Sequence, residues 1–448
     1  MADQRHARPR KPRDGKPPAK PSAKHAKPSA TYAPKPYQKG LEREKGRTPA
    51  VSDRPWRPPC PHQPHCYGCP FVAIPYDQQL ERKQKIVREA FAAFSSLSDI
   101  STPLPVASPQ KFGYRSRVKL AVRRVKGETL IGLYIPETHK VFDISACPVH
   151  PKQINQILSF LKQAIERLDI VPYDEERDTG QLRYIDLRYS FWQRKALLML
   201  VTRHMHFPQV QELTRQLERQ FPFLSGIVHN INEQPGNVIW GKRFRPLRGR
   251  DSLLEQVGHL RLNVPIDTFT QVNPPMAKRI YETIVRWGNL TGQEIVMDVY
   301  CGIGPIALYL ASHAKLVAGI EENVRAVNVA KENARRSGYN NTRFFAGDAA
   351  EKVAEVALKL PPIGMVVLNP PRKGLSPEAF SAVVHVNAPK LVYVSCSPQT
   401  LARDLDRFSQ AGYAVGRIQP FDMFPQTDQI ETLALIEKTE KRGEAVPD

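Results

Sequence analysis

From about residue 275 the hydrophobic pattern settles into short apolar runs separated by amphipathic stretches. "EIVMDVYCG" is an apolar run that closes in a glycine loop. "IALYLASH" has helical spacing, "LVAGIE" reads as a strand and "VRAVNVAKENARRSG" as a helix. "TRFFAGD", "IGMVVLNPP", "PKLVYVSCS" and "ETLALIEK" continue the strand series. This alternation predicts an α/β unit, a parallel sheet wrapped by helices on both faces, with ligands at the C-terminal ends of its strands. Upstream the pattern differs. "YDQQLERKQKIVREAFAAF" has helical spacing, residues 112–145 read as strands ("RVKLAVRR", "LIGLYI", "KVFDIS"), and a helix around 152–168 precedes "LRYIDLRYS" and "ALLMLVTR". Another helix and the strands "GIVHNI" and "NVIWG" complete an α+β, strand-rich middle without a repeat of fixed period.

The first 57 residues carry no such pattern. They hold 16 Lys/Arg against 5 Asp/Glu, about half of the chain's formal charge of +21, among dense Pro and Ala. A segment this polar cannot bury enough surface to offset the entropy of ordering it, so residues 1–57 are expected to be a disordered basic tail. Its charge fits an arm for nucleic acid; the plainer alternative is a solubilising tail. The expected division is therefore the tail at 1–57, a middle domain at 58–265 and a sheet domain at 266–448. No run approaches the roughly 18 apolar residues that span a bilayer, and a soluble, cytoplasmic protein with no membrane contact and no obligate protein partner is expected.

The loops of the last domain carry the candidate chemistry. Gly302, Gly304 and Ala307 in "DVYCGIGPIA" match a nucleotide-loop pattern, and Glu321 closes the next strand where an acid can accept from ribose hydroxyls. A nicotinamide site would share both features. Asp348 in "AGD" and Asn369 in "NPP" favour S-adenosylmethionine instead. Cys396 in "VSCSPQTLARD" follows a strand and precedes Ser397-Pro398, a plausible N-cap and first helical residue. A thiol at a helix start is drawn toward thiolate, and an inward Arg403 would add to that; buried filler is the alternative. Four other cysteines, Cys60, Cys66, Cys69 and Cys147, form C-x5-C-x2-C plus a distant fourth. Spacing alone leaves zinc and iron–sulfur open, with His62, His65 and His150 as rival zinc ligands. Cys301 is expected to pack in the cofactor loop. "KFGYRSRVKLAVRR" is basic with interleaved aromatics, as an RNA-binding face would be.

"TFTQVN", "DVYCGIG", "NPPRKG", "VSCSPQTLARD" and "FDMFPQTDQIE", in this order, resemble the iron–sulfur-containing RNA uracil-5 methyltransferases, over about residues 58–437. The resemblance implies a C-terminal Rossmann-like methyltransferase domain, S-adenosylmethionine as methyl donor, and RNA as substrate. Large-subunit (23S) ribosomal RNA is the first choice and transfer RNA the second. It implies Cys396 as the nucleophile that adds to carbon 6 of uracil and Glu431 as the base that removes the carbon 5 proton. Gln271, Tyr300, Glu321 and Asp348 would hold the cofactor, with Asn369 between cofactor and uracil. Cys60, Cys66, Cys69 and Cys147 would hold a 4Fe-4S cluster. Pro305 replaces an asparagine frequent in the cofactor loop, Gln429 a histidine usual two residues before the glutamate, and "NPPR" the commoner acidic version. Methylation of an exocyclic amino group, which "NPP" can signal, and a non-catalytic RNA-binding module are the rivals. Arg372 where an aromatic is expected speaks against the first, and an intact Cys396 and Glu431 against the second.

Overall fold

The computed structural model describes residues 60–439, apart from residues 145 and 237. The basic tail expected over residues 1–57 lies outside the described residues. Helix α1 (Tyr76–Ala92) buries Gln79, Lys83, Val87 and Phe91, one residue in four, which makes a single stripe. That stripe packs on the far end of the chain, where Val87 and Phe91 share a core with Leu401 and Leu405. Its polar members are matched there. Lys83 Nζ donates to Asp422 Oδ1 at 2.5 Å and to the Phe424 carbonyl at 3.0 Å, and Gln79 exchanges hydrogen bonds with Gln426. A buried ion pair is tolerated when such extra bonds satisfy both partners. This one fastens α1 to the segment just before Glu431.

Next come β1 (Arg117–Val125), β2 (Glu128–Tyr134), β3 (Val141–Asp143), α2 (Lys152–Arg167), β4 (Leu182–Ser190), β5 (Lys195–Thr202), α3 (Val210–Gln220), β6 (Leu224–Ile231) and β7 (Arg243–Gly249). They build one sheet in the order β3-β2-β1-β4-β5-β6-β7. Neighbours are antiparallel except β5 and β6, whose parallel pairing needs the crossover that α3 provides. Ile154, Leu158 and Leu161 of α2 and Leu213 and Leu217 of α3 close a core on one face, against Ile185 and Leu198. The expected strand "NVIWG" is not one; residues 238–241 are irregular. Side chains satisfy their backbone instead of a ladder: Asn232 donates to the Val238 and Ile239 carbonyls, and Asn230 donates to the Gly241 carbonyl and accepts from its N–H.

A hairpin that the pattern did not announce, β8 (Ser252–Val257) and β9 (Leu260–Pro265), leads into the second sheet's outer layer. Its turn requires glycine twice over: Gly258 has φ +60°, and a Cβ there would fall 1.6 Å from the Tyr309 hydroxyl. Then follow α4 (Pro274–Gly288), β10 (Ile295–Val299), α5 (Pro305–Ala311), β11 (Leu316–Glu321), α6 (Val324–Arg336), β12 (Thr342–Ala346), α7 (Ala349–Ala357), β13 (Ile363–Leu368), α8 (Pro377–Val386), β14 (Lys390–Ser395), α9 (Pro398–Gln410), β15 (Tyr413–Phe421) and β16 (Glu431–Lys438). The sheet order is β12-β11-β10-β13-β14-β16-β15. Helices α4, α5 and α6 cover one face; α1, α7, α8 and α9 cover the other.

The sheet is not wholly parallel, as the alternation had suggested. Strands β10 to β14 are, but β16 runs antiparallel to β14, and β15 antiparallel to β16. Strand β15 escaped the pattern because it is an outer edge with a register shift between Val415 and Arg417, which interrupts the apolar alternation. The reversal has a consequence for the site. It carries the first residue of β16, Glu431, to the edge where β14 ends. Among the described residues no helix is long and apolar enough to cross a membrane.

Candidate active site

At the end of β10 the chain turns sharply into α5 through three left-handed residues, Tyr300 (φ 67°), Gly302 (φ 56°) and Gly304 (φ 87°). The Gly302 N–H donates to Glu321 Oε2 at 3.0 Å and the Asn323 N–H to Oε1 at 2.9 Å, so the loop fixes that carboxylate at the end of β11. Each oxygen keeps a lone pair for a further donor. Asp348 caps α7, accepting from the Ala350 N–H at 2.8 Å, and is exposed. Burial, then the charge of Asp348, pushes the Tyr300 hydroxyl up to about 12, so these two side chains are neighbours. Asn369 follows β13, and its N–H donates to the Val299 carbonyl at 3.3 Å, which brings it beside the end of β10. Gln271 comes from the approach to α4 and meets Pro305 across a small cavity. The five residues expected to hold a cofactor therefore gather around one sheet edge. Sequence reasoning passed over Asp298, alone in the apolar run "IVMDV". It is buried, accepts from the Ala307 N–H at 2.9 Å through Oδ2, and is pushed up to about 8 by burial.

The thiol lies at the other end of that edge. Ser397 caps α9 and Pro398 opens it, as the sequence suggested. The register pairs Ser395 with Thr432, so Cys396 and Glu431 are the next residues along β14 and β16. Burial pushes the Cys396 thiol up, and the Glu431 charge adds to that; Arg372 pulls it down. The expectation that the helix start would favour thiolate is thus corrected: desolvation outweighs it. The cation is also not the one expected. Arg403 is engaged with Asp404 at 2.8 Å and with the Lys373 carbonyl at 2.9 Å, whereas Arg372 reaches toward the thiol. Glu431, 3% exposed, is pushed up to about 8 by burial, with Arg372 opposing. Arg372 Nη2 also donates to Gln429 Oε1 at 2.8 Å, which gives a contact to the residue standing where a histidine is usual. "NPPR" held the signal for Arg372.

Asn369 and Arg372 share a loop that α9 clamps from beneath. Thr400 Oγ1 donates to the Arg372 carbonyl at 3.1 Å, and the Leu375 N–H donates to Asp404 Oδ2 at 2.9 Å. Gly374 makes the tight pass, with φ +74° and an added Cβ only 2.5 Å from Asp404 Oδ2. The helix that begins beside Cys396 thus also holds the loop carrying Arg372.

Cys60, Cys66, Cys69 and Cys147 line a single cavity of about 140 Å³ together with His62, His150, Tyr114 and Arg115. Burial pushes Cys69 up to about 12, and the charges of Cys147, Cys66 and Cys60 add to that, which marks the four thiols as mutual neighbours. The Gly68 N–H donates to Cys66 Sγ at 3.4 Å. Among the described residues no group of three or more His, Cys, Asp or Glu is arranged to hold a metal ion. Four thiols lining one cavity have the donor chemistry for zinc or for an iron–sulfur group alike. Cys301 is buried, with its sulfur packed against Gly319.

The basic stretch 111–124 is less of an RNA face than its composition suggested. Arg117 is buried and chelates Asp186 with two bonds of 2.9 Å. Arg123 pairs with Glu175, and Arg124 with Asp169 and the Ile170 carbonyl. Lys119 stays accessible, 3.8 Å above the Trp240 ring.

The tRNA (uracil-5-)-methyltransferase family profile matches residues 256–439. An uncharacterized RNA methyltransferase of Geobacter sulfurreducens is 38% identical over 87% of this chain and 78% of its own length. The chain belongs to the RNA uracil-5-methyltransferase family. A further RNA methyltransferase, from Clostridium acetobutylicum, is 34% identical to this family member over 86% of the chain and 84% of its own length. The fold agrees with the solved structure of Pyrococcus abyssi tRNA (uracil-54, C5)-methyltransferase in complex with S-adenosyl-L-homocysteine. That likeness has a TM-score of 0.68, with 26% identity and coverage of 83% of this chain and 86% of that one. The protein is an S-adenosylmethionine-dependent RNA (uracil-5-)-methyltransferase.

Proposed function

We propose that this methyltransferase modifies carbon 5 of a uridine in structured RNA through a transient bond between Cys396 and carbon 6. The juxtaposition of Cys396, Arg372 and Glu431 at the adjoining ends of β14 and β16 carries this reading. Carbon 5 of uracil is a poor nucleophile. Addition of the Cys396 thiolate to carbon 6 moves an electron pair onto the carbonyl at carbon 4 and makes an enolate, whose carbon 5 is nucleophilic. Arg372 lowers the cost of forming that thiolate. Bound S-adenosylmethionine would supply an electrophilic methyl group and leave as S-adenosylhomocysteine; Gln271, Tyr300, Glu321, Asp348 and Asn369 are the residues that would hold it. After carbon 5 has taken the methyl group, Glu431 removes its proton, the carbon 5–carbon 6 double bond re-forms and the thiolate leaves. A buried carboxylate with a raised pKa is a stronger base than an exposed one, which suits it to that step. The target base is flipped out of its stack, since its carbon 6 face must meet the thiol.

Cys60, Cys66, Cys69 and Cys147 hold a 4Fe-4S cluster as a structural clip between the N-terminal segment and the first sheet; their common cavity supports this. Large-subunit ribosomal RNA is the first substrate choice. The Pyrococcus abyssi relative, a transfer RNA methyltransferase by its description, keeps transfer RNA as the second. The residues 1–57 serve as a cationic arm for the RNA. The deciding experiment is transfer of a labelled methyl group from S-adenosylmethionine to ribosomal and transfer RNA, followed by nucleoside analysis. Label in 5-methyluridine with the parent and none with Cys396→Ala is expected, with S-adenosylhomocysteine binding preserved in the variant. Continued methylation by Cys396→Ala would refute the covalent route.

A further inference from the structure

Strands β1 and β4 set two arginines directly opposite each other, Arg117 facing Arg188. Like charges across a ladder repel, and both guanidiniums are buried. Arg117 takes both oxygens of Asp186, at 2.9 Å each. Arg188 has no carboxylate within ion-pair distance among the described residues. Its Nη1 donates to Thr270 Oγ1 at 2.8 Å and its Nη2 to the Thr268 carbonyl at 2.6 Å, while its Nε finds no partner. It is only 4% exposed. Asp186, Glu255 and Asp267 act on it only from beyond ion-pair distance, and its unpartnered Nε donor is costly to bury.

The same guanidinium lines a cavity of about 30 Å³, together with Thr270, Gln271 and Pro305. That is room for about two water-sized groups, which matches the two oxygens of one carboxylate but not a phosphodiester with its sugars. Pro305 lacks an N–H, so the loop at the start of α5 presents no backbone donor at that point and a side chain has to supply one. Glu255 closes the cavity on another side, with its carboxylate accepting from the Phe191 and Trp192 N–H groups.

We propose that Arg188, on the first sheet, binds the carboxylate of the cofactor's amino-acid end, beside Thr270 and Gln271. This rests on the proposal above that Gln271, Tyr300, Glu321, Asp348 and Asn369 hold the cofactor. Arg188 then makes the first sheet part of the cofactor site: two charge-assisted hydrogen bonds join a guanidinium of that sheet to a ligand lying on the second.

The test compares two ligands on the full chain by calorimetry: S-adenosylhomocysteine, and 5′-methylthioadenosine, which keeps the nucleoside and thioether but lacks the amino-acid end. Arg188→Met should weaken S-adenosylhomocysteine by about ten- to hundredfold and leave methylthioadenosine within about twofold. Thr270→Val, which frees the segment but keeps the charge, should cost no more than about threefold. Equal losses for both ligands, no loss for either, or a Thr270→Val loss as large as that of Arg188→Met would overturn the proposal. So would a drop in RNA affinity with S-adenosylhomocysteine unaffected, which would give Arg188 to a phosphate. A parent that binds S-adenosylhomocysteine no better than methylthioadenosine refutes this inference alone. A parent that binds neither refutes the cofactor placement as well.

Discussion

Replacing Glu431 by Gln should block normal product release and, in the same molecule, remove a loss of stability that the parent suffers as pH rises. The carboxyl is buried at the start of β16 and its pKa moves from an ordinary 4.5 to about 8. A group raised in this way favours folding below its unfolded pKa. Stability then falls as pH climbs from about 4.5 through about 8, because the unfolded chain has released a proton that the folded one retains. At about 1.4 kcal/mol per pH unit the loss is about 3 kcal/mol by pH 7, with a ceiling of about 5 kcal/mol above pH 8. A glutamine of the same shape has no proton to release. Glu431→Gln should therefore match the parent below about pH 4 and exceed it by about 3 kcal/mol at pH 7 in denaturant unfolding. Catalytically, the variant keeps Cys396 and can add and methylate, but carbon 5 retains its proton and elimination is blocked. A protein–RNA adduct that survives denaturation and carries the cofactor's methyl label should accumulate, with slow release over hours through solvent. Parent activity should still be climbing above pH 8, because Glu431 loses its proton near 8 and the Cys396 thiol, pushed up from its ordinary value, loses its own later. Equal unfolding free energies at pH 8.5 would refute the buried carboxylate, and turnover like the parent's without adduct would refute its role as base.

Arg372→Ala should slow alkylation of Cys396 by iodoacetamide about tenfold at pH 8, read by mass spectrometry, since the guanidinium favours the thiolate; an unchanged rate would remove Arg372 from the site. Anaerobically purified protein should be brown, with about four iron and four sulfide per chain, and Cys147→Ser should bleach it. Stoichiometric zinc without sulfide would contradict the cluster. Removal of residues 1–57 should leave S-adenosylhomocysteine affinity unchanged while weakening RNA binding and flattening its dependence on salt; an unaltered salt slope would make the segment a solubiliser only.

The sequence determined the parts of this protein that depend on local order. Strands β11, β13 and β14 appear where the apolar runs place them, since a strand buried on both faces is almost continuously hydrophobic. The corner Cys396-Ser397-Pro398 was legible because capping chemistry is local. The order of the motifs carried the family. What the chain order could not give was direction and partnership. That β16 runs antiparallel, and so delivers Glu431 beside Cys396, follows from pairing with β14 some forty residues away. Arg372 and Arg403 look alike in sequence; Asp404 takes one and leaves the other for the thiol. Arg117 and Arg188 read as parts of basic strands, and only their cross-strand register makes one an ion pair and the other a buried cation beside the Gln271 cavity. The thiol's pKa is likewise a tertiary property. A helix start in water would lower it, but burial removes the water that stabilises the charge, and the fold alone sets how much water is left.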